Sequence, residues 1–148
     1  MNKYELLQDD KIEVSGRTLY RIRALKDFKG AKAGDLGGYI EKEKNLSQED
    51  NCWVCGNARV FGEAYVFGDA KINKISDVLC ISPIGSRNDA TTFFKTKDGG
   101  ICVKCGCFSG TIDRFLEAVS ETHKDNKHAK AYRLACELAK IQIELENV

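Results

Sequence analysis

The chain is poor in the residues that most catalysis and most chain punctuation use. In 148 residues Pro83, Met1 and Trp53 are each alone of their kind, and imidazole is confined to His123 and His128. Nucleophilic catalysis needs a base within reach of a Ser or Cys, so two histidines leave few ways to build it. An excess of charge of either sign is also missing. Lys and Arg number 23 against 22 Asp and Glu, a net charge of +1, which gives no bulk reason to favour nucleic acid or an anionic membrane. Any basic site must be local. No stretch approaches the run of about 18 apolar residues that a transmembrane helix requires, and MNKYELLQDDK lacks the apolar core of a signal peptide. A cytosolic protein without a membrane partner is expected. Seven Cys is an odd number, and a reducing cytosol keeps them as thiols, so no disulfide framework is expected.

What is present is a period. From Cys52 the chain runs CWVCGN, ARVFGE, AYVFGD, AKINKI. A small residue opens each unit (Cys52, Ala58, Ala64, Ala70), a β-branched residue follows two later (Val54, Val60, Val66, Ile72), and three units carry Gly56, Gly62 and Gly68 at a corner. Fixed-period self-similarity implies stacked units with a shared core, with positions one and three facing inward. The period predicts a short hexapeptide-repeat left-handed β-solenoid, capped by the weak hexad Leu46 to Asn51. Four hexads make little more than one three-sided coil, so this cannot be the whole protein.

Upstream, Thr18 to Leu25 reads as a strand entered through the Ser15-Gly16 turn, with Tyr20, Ile22 and Ala24 on one face. Lys32 to Tyr39 holds three Gly and reads as tight turns with close backbone approach. The composition breaks near Lys74 to Asp77, dividing the chain into an N-terminal half, 1–75, and a C-terminal module, 76–148. In the second, Val78 to Ile84 reads as a buried strand ended by Pro83, and Thr92 to Lys95 and Ile101 to Cys107 as strands joined by an Asp98-Gly99-Gly100 turn. The expectation is a mixed β and α+β protein: the solenoid, then an antiparallel three-stranded β-meander and two C-terminal helices. The first helix starts at a Thr111 cap and ends near His123; the second runs from about His128 to Glu146. That last helix has two apolar stripes, Tyr132, Ala135, Cys136, Ala139 and Ile143 on one side and Leu134, Leu138, Ile141 and Leu145 on another. One can cover the sheet; the other calls for self-association, so a homo-oligomer is expected.

Two CxxC units, Cys52 with Cys55 and Cys102 with Cys105, could together make a tetrahedral zinc site. The repeat register already explains Cys52 and Cys55, and Cys102 points to the opposite strand face from Cys105 and Cys107, so zinc stays the runner-up. A thiol nucleophile would be Cys107 with His123, but these lie at opposite ends of the first helix. The more promising constellation is polar. Ile84 to Thr92, IGSRNDATT, is a loop offering Ser86 and Thr92 hydroxyls, the Asn88 amide and Arg87; Cys107 to Thr111, CFSGT, leads to a helix N-terminus. Meander topology brings the two loops to one side. Arg87 presents a fork for phosphate, the helix start at Thr111 a second anion site, and Phe108 a stacking face for a base. Such a kit suits a nucleotide. The bland alternatives are a solvated Arg87, a Thr111 that only caps, and a Phe108 in the core.

Two resemblances add to this. TLYRIRALKDF and KAGDLGGYIEKEKNLSQEDNCWVCGNARVFGEAYVFGDAKI, about Thr18 to Ile72, resemble the YdcK-type β-solenoid repeat of phage and prophage proteins, mostly without assigned activity. The stretch IGSRNDATTFFKTKDGGICVKCGCFSGTIDRFLEAVSETH is similar, through GSRN, TTFF and CGCFxGTI, to the Thoeris anti-defence type 1 family. Members of that family sequester cyclic ADP-ribose-type immune signals without cleaving them. The second resemblance implies an oligomeric, catalytically silent sponge in the host-cell cytosol, with no cofactor and no enzymatic step. Its ligand would be a nucleotide-derived small molecule held by Ser86, Arg87, Asn88, Thr92, Cys107, Phe108 and Thr111. Two alternatives stand beside it: a phage interaction protein that inhibits a host defence protein by direct binding, and a hexapeptide-type acyltransferase using Cys107 or His123. The repeat itself contains no histidine.

Overall fold

The computed structural model describes residues 2–143, so Leu145 and the helix end expected near Glu146 lie outside the described residues. The chain divides into two compact units, Met1–Ile75 and Ser76–Val148. In the first, β1 (Tyr4–Val14), β2 (Arg17–Ala24) and β3 (Leu36–Ile40) run antiparallel. Three two-residue strands follow, β4 (Trp53–Val54), β5 (Arg59–Val60) and β6 (Lys71–Ile72). The strand order is β1-β2-β3-β5, with β5 parallel to β3, while β4 pairs in parallel with β6 as a separate two-stranded sheet.

This corrects the expected left-handed β-solenoid: no closed solenoid occurs among the described residues. The inward column is present, since Cys52, Val54, Ala58, Val60, Ala64, Val66, Ala70 and Ile72 are all buried. But the column amounts to a single layer, and only one of its pairings keeps the eighteen-residue spacing of a three-hexad coil. Ile72 pairs with Val54, Val66 bridges to Leu46, and Val60 pairs with Ile40, each eighteen or twenty residues earlier. Four hexads supply one such layer, and its remaining apolar surface is met by an ordinary antiparallel sheet instead of further coils. Gly37 and Gly38 permit this, because a Cβ on either would collide with the Val54 or Ala58 carbonyl. The expected tight turn is present at Lys32–Asp35, where the Asp35 amide donates to the Lys32 carbonyl at 2.9 Å, but from Leu36 the segment is strand β3, and close backbone approach is what its glycines provide.

Buried polar groups in this unit are tied down by backbone. The Lys3 ammonium donates to the carbonyls of Cys52 at 2.8 Å and Glu49 at 3.1 Å, lies 3.3 Å from the Cys52 thiol, and sits over the Phe28 ring. Burial holds Lys3 below the ordinary ammonium range and pushes the Cys52 thiol up. The Tyr4 hydroxyl donates to the Leu46 carbonyl at 2.6 Å, and the Asn45 amide donates to the Ala64 carbonyl at 2.8 Å. These contacts hold turns of the repeat region that too few ladder bonds reach.

The second unit is a four-stranded antiparallel meander, one strand more than expected. Its strands are β7 (Val78–Ile84), β8 (Asp89–Lys95), β9 (Ile101–Cys105) and β10 (Phe108–Thr111), in the order β10-β9-β8-β7. β7 is an edge strand with no fully buried residue, which is where Pro83 can be accommodated; it is not the buried strand expected. Two helices follow, α1 (Ile112–His123) and α2 (Lys127–Gln142). The Thr111 hydroxyl caps α1 by accepting from the Arg114 amide at 3.2 Å, and the Asn126 side chain caps α2 through the His128 and Ala129 amides. Phe93 and Val103 from the sheet pack with Phe115, Val119, Tyr132, Cys136 and Ala139 from the helices. Burial pushes the Cys136 thiol up to about 11. No described helix is long and apolar enough to cross a membrane.

Candidate functional site

Strand register decides what can meet in the second unit. β7 ends at Ile84 and β9 at Cys105, so the turns Gly85 to Asn88 and Gly106 to Cys107 lie at the same end of the meander. Across that end runs a row of paired residues: Phe108 with Cys105, Cys105 with Thr91, and Thr91 with Ile81. Directly paired residues share a face, and here it is the face that α2 covers, because the Cys105 thiol lies 3.6 Å from the Tyr132 hydroxyl. Gly85 closes the same corner. A Cβ there would collide with the Tyr132 hydroxyl, and the backbone φ of 83° is one that glycine adopts freely.

The row contains an unsolved hydrogen-bonding problem. Thr91 is 0% exposed, and its hydroxyl has no hydrogen-bond partner. A buried hydroxyl left this way costs on the order of 1–3 kcal/mol. Tyr132 is kept in its phenol form, its pKa raised by burial and by the neighbouring Cys105 thiol. Phe108 joins the group through rings, 5.3 Å from Phe115, which in turn meets Tyr132 edge-on at 5.2 Å.

Of the residues named from sequence, Ser86, Arg87 and Asn88 occupy the exposed turn at this end, and Cys107 is exposed in the adjacent turn. Arg87 makes no hydrogen bond or ion pair among the described residues. Phe108 is half-buried against the core. Thr92 and Thr111 are elsewhere. Thr92 is buried on the opposite face of β8, within 3.9 Å of the Cys80 thiol. Thr111 lies three residues along β10 from Phe108, about 10 Å away at the strand rise, because Phe108–Thr111 forms a strand and not a loop. The start of α1 therefore opens at the far end of the sheet from Arg87. For the zinc alternative, Cys102 and Cys105 fall on opposite faces of β9, and Cys52 is engaged by Lys3. No group of three or more His, Cys, Asp or Glu side chains is placed to hold a metal among the described residues.

Sequence reasoning did not single out Thr91 or Tyr132. The signals were available: Thr91 has the same strand phase as Phe93, and a Tyr within an apolar helix stripe needs a partner for its hydroxyl.

Comparison with known proteins adds little. No family model matches the chain. A segment of 36 residues, 24% of the chain, is 47% identical to "Uncharacterized acetyltransferase YdcK" of Escherichia coli (strain K12). The match spans 11% of that protein's length, which fits a distant hexapeptide-type link and no more.

Proposed function

We propose that the second unit binds a small nucleotide-derived signal, of the cyclic ADP-ribose or cyclic oligonucleotide type, and sequesters it without cleavage. The observation that carries the reading is the orphaned Thr91 hydroxyl beside Tyr132 and Cys105, at the sheet end where Arg87 stands unpaired. Thr91 is sealed under α2, so a polar ligand edge would recover the hydrogen bond that folding left unmade by displacing the half-buried Phe108 rim. Arg87 supplies a planar fork for a phosphate oxygen pair. Tyr132, held as a phenol, is suited to donate a hydrogen bond to a ligand oxygen and not to attack it.

The homo-oligomer in this proposal draws on α2, whose outer face leaves Leu134 71%, Leu138 46% and Ile141 77% exposed. A phage origin, an anti-defence role and a host-cytosol location rest on the resemblance of GSRN, TTFF and CGCFxGTI alone.

The test is recovery. The protein is mixed with cyclic ADP-ribose isomers and cyclic dinucleotides, separated from free ligand, denatured, and the released material chromatographed. Intact ligand in fixed ratio to protein is the expected result. Converted product would identify an enzyme, and no retained ligand would favour inhibition of a host defence protein by direct binding.

The match to a protein named an acetyltransferase favours one second reading, acyl transfer. It requires release of free thiol from an acyl-thioester donor by the wild type, lost in both Cys107→Ser and His123→Ala.

A further inference from the structure

The corner between the two helices carries a feature that the ligand reading does not use. His123 is the last residue of α1 and His128 lies in the first turn of α2, and their imidazole rings stand 5.4 Å apart at an angle of 55°. Both are half-exposed. The geometry points to a two-imidazole site for a late first-row divalent metal such as zinc, nickel or copper, with water in the remaining positions.

The distance is the first argument. A metal about 2.1 Å from each ligating nitrogen lies about 3.2 Å from each ring centre. Two imidazoles on one ion then have ring centres about 4.5 Å apart at a right angle and about 5.2 Å apart at the tetrahedral angle. The observed spacing is within a few tenths of an ångström of the second value.

Rigidity is the second. The backbone between the rings is fixed on every side. The Asn126 amide donates to the His123 carbonyl at 3.1 Å, and the Asn126 side chain holds the His128 and Ala129 amides at 3.0 Å. Arg133 clamps the corner through the Lys124 carbonyl at 2.8 Å and the Asp125 carboxylate at 3.1 Å. The rings themselves are loosely held. Among the described residues their one polar contact is from the Asn126 side-chain amide, 3.5 Å from His123 Nδ1, at the outer limit of a hydrogen bond. The backbone of the corner is preorganised, so binding has to order the two side chains and not the chain that carries them.

Chemistry sets the metal class. Neutral imidazole suits zinc, nickel and copper and not magnesium or calcium. Lys124, Lys127 and Arg133 surround the corner and oppose a cation, Asp125 offsets part of this, and among the described residues no third protein ligand is placed to join. The ion is therefore exchangeable. Its effect is to bridge the end of α1 to the start of α2, beside the Tyr132 ring, whose centre lies 6.0 Å from that of His123 at a tilt of 31°.

The test uses nickel, whose paramagnetism reports its neighbours, added to the reduced full chain and followed by imidazole proton and nitrogen resonances. The expected result is broadening of His123 and His128 together at about one equivalent. His123→Gln and His128→Gln should each weaken binding about tenfold or more, with the metal-free thermal midpoint unchanged. Broadening of one ring alone, broadening confined to residues around the cysteines, or single variants that bind as tightly as the wild type would each overturn the site.

Discussion

The two units treat buried polarity in opposite ways. In the first, Lys3, Tyr4 and Asn45 reach deep into the repeat region and each is matched to backbone carbonyls. Those bonds replace ladder contacts that two-residue strands cannot supply, so the polar groups are structural. In the second, a conventional meander satisfies its own backbone, and the side chains at one end are under no such duty. Thr91 is left without a partner, Arg87 without a counter-ion, and three large apolar residues of α2 without cover. Among the described residues the first unit also has an orphan, the Arg59 Nε, whose cross-strand partner Tyr39 is taken up by Arg21 on the next strand. The contrast teaches that a buried charge is poor evidence of a site when its partners are turns, whereas an unpaired hydroxyl inside a well-formed sheet calls for an explanation.

Each half of the contrast can be broken separately, because the two units carry different probes: Trp53 lies in the first and both helices in the second. The largest effect is expected from Lys3→Met. It strands the Glu49 and Cys52 carbonyls and should cost about 3 kcal/mol, seen as a lower urea midpoint by Trp53 fluorescence. A midpoint unchanged by that variant would remove the structural role of Lys3. Gly85→Ala should cost about 2 kcal/mol, read from helical circular dichroism, since the methyl collides with Tyr132 and the backbone has positive φ.

Alkaline pH sharpens the comparison further. Cys136 keeps its proton to about 11 when folded, while the unfolded thiol loses it near 9. Its contribution is therefore complete below pH 9 and lost as pH rises to about 11, a fall on the order of 2–3 kcal/mol. The helical signal should show that slope, and Cys136→Ala should flatten it. The smallest effect has the opposite sign. Thr91→Val keeps the shape and removes the orphan, and should stabilise the second unit by about 1 kcal/mol.

Much of the second unit was legible because its signals are local. The Asp98-Gly99-Gly100 turn, the Thr111 cap, the end of α1 at His123 and the two stripes of α2 each follow from a few adjacent residues. What escaped depended on pairing at a distance. β10 hides in CFSGT, a run with glycine that reads as a loop until Cys105 is placed opposite Phe108. That strand carries Thr111 away from Arg87. β1 escaped because only Tyr4 in it is fully buried and its register slips between Leu6 and Lys11, so alternation never becomes clear. The hexads fixed which residues face inward but not what they stack on. A period describes one chain segment, while closure of a solenoid depends on how many copies are available to follow it. Thr91 escaped for a further reason: a missing hydrogen bond has no sequence signature.

The most direct measurement is native mass spectrometry of the wild type, Arg87→Ala and Thr91→Val against cyclic ADP-ribose isomers and cyclic dinucleotides. One unmodified adduct per site in the wild type, lost or strongly weakened in both variants although Thr91→Val is the more stable fold, is the expected result. No adduct with any of these ligands, or an adduct equally strong in all three proteins, would contradict a binding site at this end of the sheet.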